Sequence, residues 1–203
     1  MRSTYLVMSQ TGTILSKAIK GVTGDEYNHI SISLDPSLEC MYSFGRKYSN
    51  IPFIGAFVQE GKSIGTFSKF PNTICKVIKI DVDDEVYSKI CCIIFEMLVD
   101  RKKYKYNLLG LFLALFDIEY HSQRKFYCSE FVKYILEEAE INVDFLSSIP
   151  RPSEFENIEN GEVIYDELLR NYPDGSENGC SFDKEKDQKK VLRKVISAFR
   201  KTA

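Results

Sequence analysis

Apolar and polar side chains alternate almost from the first residue. Residues 4–8, Thr-Tyr-Leu-Val-Met, read as a strand, and Gln10-Thr-Gly-Thr then predicts a turn into a short helix over 14–19 that Gly21 and Gly24 close. From His29 the pattern is cleaner. Ile30, Ile32 and Leu34 fall on one face of a second strand, His29, Ser31 and Ser33 on the other, and Asp35-Pro-Ser marks the turn that ends it. Residues 38–44 are expected to return as its hairpin partner. Between 51 and 70 the alternation is broken by Pro52, Gly55, Gly61 and Gly65, which predicts an irregular loop bordering a site. Residues 74–80 restore a strand.

The period then changes. Asp81-Val-Asp-Asp-Glu supplies an N-cap and an acidic first turn to a helix expected over 84–102, with Val86, Ile90, Ile93, Ile94, Met97 and Leu98 facing inward. The segment 104–110 interrupts it, 111–116 reads as a buried apolar segment, and a second long helix begins near Cys128 and buries Phe131, Val132, Ile135 and Leu136. After Pro150-Arg-Pro-Ser a short strand is expected at 162–165. A polar loop at 174–179 then leads to a basic helix over 183–201, with Val191, Ile196 and Phe199 as a weak apolar face. Strands followed by helices, without βαβ alternation, predict one α+β domain over 1–203 with an antiparallel sheet packed against helices.

Composition narrows the partners. A chain of 203 residues that is 44% apolar can bury one substantial core, and a net charge of −2 offers no overall attraction to nucleic acid. The basic terminal helix leaves contact with a membrane surface as a local alternative. The first apolar run is too short for a signal peptide, and the longest, 108–116, is about half of a membrane span. A cytoplasmic protein is expected. The cysteines at 40, 75, 91, 92, 128 and 180 include no C-x-x-C pair, so neither zinc nor another metal is implied, and Cys91 and Cys92 are expected to be small buried hydrophobes.

Cys128 carries the candidate chemistry. It stands where Lys125-Phe-Tyr-Cys-Ser-Glu-Phe-Val turns into a helix, and the positive end of a helix favours the thiolate, the form that attacks. His29, on the polar face of its strand, is the candidate base. His121, seven residues before the cysteine, is a rival base, but its polar setting, His-Ser-Gln-Arg-Lys, predicts a surface role. Tyr106 and Tyr127 are candidate donors to a developing oxyanion, beside the backbone N–H of Cys128. Glu130, two positions into the helix, is expected to favour its dipole and to pair with a neighbouring basic group.

His29 on an early strand, followed about a hundred residues later by Tyr127-Cys-Ser-Glu-Phe-Val and preceded in turn by Tyr104-Lys-Tyr-Asn-Leu-Leu-Gly, resembles the permuted papain-like amidases of the YaeF/YiiX type, relatives of the NlpC cell-wall peptidases and of lecithin retinol acyltransferase. The resemblance covers roughly 27–138. It implies a circularly permuted NlpC-type, papain-like fold and a cysteine hydrolase, an amidase or endopeptidase, that cleaves an amide bond in a small peptide or acyl conjugate without a cofactor. It also implies a third polar residue that orients the imidazole from the strand after the His29 strand. Glu39 is the first candidate for that role, with Ser43 and Glu60 as others. A non-catalytic acyl-chain binding module, lined by 51–70 and 108–116, and an acyltransferase would use the same cleft.

Overall fold

A computed structural model describes residues 1–48 and 51–173. The chain opens with β1 (Arg2–Gln10), longer at both ends than its alternation suggests, and α1 (Ile14–Thr23). Thr13 caps α1 by accepting the Ser16 N–H at 3.2 Å, and Gly24 ends it in the left-handed region with φ 74°. Next come β2 (His29–Ser33), β3 (Met41–Tyr48) and β4 (Ile51–Glu60), then β5 (Ile74–Val82) and α2 (Asp84–Val99), whose first turn is held by Asp83 accepting the Val86 N–H at 2.8 Å. The two-residue strands β6 (Lys105–Tyr106) and β7 (Lys125–Phe126) flank α3 (Leu108–Ala114). The helix α4 (Cys128–Glu138) follows, and β8 (Gly161–Leu168) returns to the sheet.

The six long strands form one antiparallel sheet in the order β4-β3-β2-β1-β5-β8. The α+β class with an antiparallel sheet is therefore present. Its centre, β1, is covered on both faces: Leu6 and Met8 join Ile30, Ile32, Phe44 and Ile78 beneath Ile90 and Ile94 of α2 and Phe131, Val132 and Ile135 of α4, while Tyr5 and Val7 pack with Leu38, Met41, Phe67, Val77 and Leu169 on the other side. Successive side chains of a strand point to opposite faces, so burial of both faces explains why residues 4–9 are all buried. On α2 the expected inward residues Ile90, Ile94 and Met97 are buried, Val86, Ile93 and Leu98 pack against them in part, and the helix stops at Val99.

Three expectations are corrected. The first half of the stretch 51–70 is not a loop: β4 pairs with β3 from Tyr48↔Ile51 to Met41↔Glu60. As an edge strand it tolerates Pro52 and Gly55, the residues that disguised it. Only its continuation is irregular, through a short 3-10 turn at Phe67–Lys69. The segment 111–116 is not buried, because α3 turns Leu108, Leu109 and Phe112 outward and the chain continues into exposed Phe116 and Ile118. Cys91 is half-buried and Cys92 is exposed on α2. The basic helix expected at 183–201 lies outside the described residues.

Candidate functional site

The site forms where β2 and β3 part. They pair at Ile32↔Tyr42 and Ser33↔Met41 and then diverge. Beyond that point the β3-facing groups of Ile30 find other partners: its carbonyl accepts Ser43 Oγ at 2.7 Å, and its N–H serves the Cys128 thiol. A gap in a ladder must be filled by other hydrogen-bonding groups, and here one of them is the first residue of α4.

Tyr127 turns the chain into α4 with extended backbone, φ −96° and ψ 177°, and Glu130 closes the turn by accepting the Tyr127 N–H at 3.0 Å. Glu130 also accepts Asn107 Nδ2 at 3.1 Å and meets His121 Nδ1 at 3.2 Å. Asn107 Oδ1 in turn accepts the Gly110 N–H and caps α3. Glu130 thus meets a neighbouring basic group, as expected, and in addition caps the helix, so the start of α4 is tied to the start of α3. His121, contacted by Glu119 and Glu130 and more than half exposed, is not among the residues lining the cleft at Cys128.

His29 faces the opposite way from Ile30. Its Nε2 lies 2.9 Å from Glu60 Oε2, which also accepts Ser31 Oγ at 2.7 Å, and its ring sits 6.4 Å from that of Phe67. The same imidazole hydrogen-bonds the Cys128 thiol. Glu60 is two strands away, and it reaches across β3 because the intervening residues on that face, Ser43 and Gly45, are small. A Cβ on Gly45 would stand 3.1 Å from Glu60 Oε1 and 3.4 Å from His29 Cε1. The acid beside the imidazole is therefore Glu60. Glu39 is occupied elsewhere, accepting Ser63 Oγ at 2.6 Å, and Ser43 is spent on the Ile30 carbonyl.

The electrostatics of the three groups reinforce one another. Burial alone would raise the Cys128 thiol, but hydrogen bonding and charge from His29, with the Ile30 N–H, bring it below its ordinary value. For His29 burial works downward, yet the Glu60 charge and the hydrogen bonds to Cys128 and Glu60 lift it to about 10. Glu60, opposed by burial, is held below the usual carboxylate range by His29 and Ser31. Each shift favours the charged form of its group, so the site leans toward carboxylate, imidazolium and thiolate in sequence. A thiolate beside an imidazolium can attack an electrophilic carbon, and the imidazolium can supply the proton that a leaving group needs.

Cys128, His29 and Glu60 line one cleft with Phe44, Gly45, Arg46, Phe67, Tyr106 and Leu111. Tyr106 reaches it by lying flat on β4, where Gly55 has no side chain: a Cβ there would meet the ring at 2.3 Å. Burial pushes its phenol well up, so it stays protonated and able to donate. Tyr127 is buried and does not line the cleft. Arg46 went unnoticed in the sequence, since it lies near the end of a strand among exposed residues and no motif marks it. Among the described residues no group of three or more His, Cys, Asp or Glu could hold a metal ion, and no helix is long and apolar enough to cross a membrane. The chain matches no family model and no curated protein.

Proposed function

We propose that this chain is a papain-like cysteine hydrolase of the circularly permuted NlpC type, an amidase or endopeptidase acting on an amide bond in a small peptide or acyl conjugate. The observation that carries this reading is the chain of contacts from Glu60 through His29 to Cys128 at the first residue of α4. The Cys128 thiolate attacks the amide carbon, and the tetrahedral intermediate collapses as the C–N bond breaks and the amine takes the proton held by His29. The resulting thioester is hydrolysed by water, whose proton His29 accepts and then shares with the released thiolate. Tyr106 supplies a donor beside the developing oxyanion, and Glu60 holds the imidazole orientation throughout.

A second reading has its own observation. The outward side chains Leu108, Leu109 and Phe112 of α3, with Phe116 just beyond it, form an apolar surface near Leu111 at the cleft and suit a non-catalytic module that binds an acyl chain. Incubating wild type and Cys128→Ser with cell extract separates the two. A product that accumulates only with wild type is expected. Identical profiles, with fatty acid co-purifying with both proteins, would overturn the hydrolase reading in favour of the binding module.

A further inference from the structure

Arg46 lines the cleft and its charge helps to hold Glu60 ionised, but it takes no step in the hydrolase chemistry. It follows Gly45 on β3, half-buried, and its Nη2 donates to Thr13 Oγ1 at 2.8 Å, which draws the guanidinium toward the start of α1. Among the described residues it forms no salt bridge. The acid nearest in role, Glu60, is paired with His29 at 2.9 Å and with Ser31 at 2.7 Å. Burial works against the charged guanidinium, and Tyr106 and Glu60 offset this only in part. A guanidinium in a cleft with a carboxylate near it but in no contact salt bridge has donors to spare, and its fork matches the planar geometry of a carboxylate. The remaining lining supplies hydroxyl and amide groups from Thr11, Asn28 and Thr66, together with apolar Phe44, Phe67 and Leu111. Among the described residues lining the cleft the other basic group, His29, is paired with Glu60, so the charge complement is that of a single monoanion and not of a phosphate dianion.

We propose that Arg46 makes this cleft selective for substrates that carry a carboxylate close to the amide bond that Cys128 attacks. The proposal rests on the Cys128–His29 reading above and adds the substrate class to it. Arg46 acts as a specificity residue: it binds the carboxylate and so places the neighbouring carbonyl over the thiolate.

A matched pair of small amides tests this on the full chain. N-acetylglycine carries a carboxylate beside an amide, and N-acetylglycinamide is its neutral counterpart. Protection of Cys128 from iodoacetamide is followed by mass spectrometry near neutral pH, in wild type, Arg46→Lys and Arg46→Gln. Wild type is expected to be protected saturably by N-acetylglycine at a concentration about fivefold or more below that needed with N-acetylglycinamide. Arg46→Gln should lose that difference, and Arg46→Lys, which keeps the charge but not the fork, should retain part of it. Saturability separates a bound carboxylate from a general field effect, which would not saturate. Equal protection by both amides in wild type, no saturable protection by N-acetylglycine, or a preference that survives in Arg46→Gln would each overturn the proposal. If wild-type Cys128 reacts no faster than N-acetylcysteine, it is the Cys128–His29 reading itself that fails, an outcome distinct from loss of the carboxylate preference.

Discussion

At the scale of single residues, Glu60 governs the state of the site. Replacing it with Gln keeps the side-chain shape but removes the charge that lifts His29, so the imidazole titrates lower and the thiolate loses its partner. Cys128 in Glu60→Gln should therefore react with iodoacetamide about tenfold more slowly at pH 7, and its rate profile should shift to higher pH. An unchanged profile would show that Glu60 does not tune the pair. The other cysteines offer an internal contrast. Cys92 is exposed, yet burial of its sulfur raises its thiol, and burial raises Cys91 further, to about 11. In a partial labelling experiment Cys128, although buried, should be modified before either of them. Earlier modification of Cys92 would indicate that access outweighs thiolate content.

Elements set the distances that these residues exploit. β3 must pass beneath the His29–Glu60 contact with almost no side chain, and Gly45 is the residue at closest approach. Gly45→Ala should push the imidazole and carboxylate apart by a few tenths of an ångström, slowing Cys128 alkylation severalfold while costing roughly 1–2 kcal/mol of stability in urea melts. The junction of α3 and α4 depends on Glu130 in a different way. Glu130→Ala removes the acceptor of the Tyr127 N–H and of Asn107 Nδ2, and about 1–3 kcal/mol of stability should go with these buried hydrogen bonds. Because Glu130 does not touch the thiol or the imidazole, Cys128 should keep its fast alkylation relative to Cys92. A loss of that contrast with unchanged stability would mean that Glu130 acts in the cleft and not through the cap.

For the molecule as a whole, the buried His29–Glu60 pair couples folding to pH. The folded-state pKa of His29 is raised from 6.5 to about 10, so its contribution to stability is fully present below pH 6.5 and is lost as pH rises through about 10. Glu60 is shifted the other way, so its contribution is present above the ordinary carboxylate range and is lost as pH falls through its lowered folded pKa. The contribution of this pair to urea stability should therefore show a plateau between the ordinary carboxylate range and about pH 6.5 and a decline on both sides. In the double variant His29→Ala, Glu60→Gln, the alkaline decline between pH 8 and 10.5 should shrink; an unaltered decline would place its source elsewhere in the chain.

What the sequence determined by itself was everything that depends on local periodicity and on chemistry at one position. The alternation around β1 and β2, the apolar face of α2, the helix starting at Cys128 and the place of Glu130 in its first turn follow from spacings of two to four residues. So did the choice of His29 and Cys128 as residues to watch. What only the tertiary structure decided depends on neighbours far apart in the chain. Glu60, 31 residues from His29, becomes its partner because β4 lies beside β3 and because Ser43 and Gly45 leave the path open. The reading of Glu39 failed because Pro52 and Gly55 masked β4, and without that strand no register to Glu60 could be counted. The segment 111–116 was misjudged because hydrophobicity predicts a preference for burial but not the availability of a surface to bury against, and α3 has none on its outer side. Arg46 shows the same limit from the polar side: whether a strand arginine faces bulk water or lines a cleft is settled by which elements close around it, and α1, β4 and α4 meet only in three dimensions.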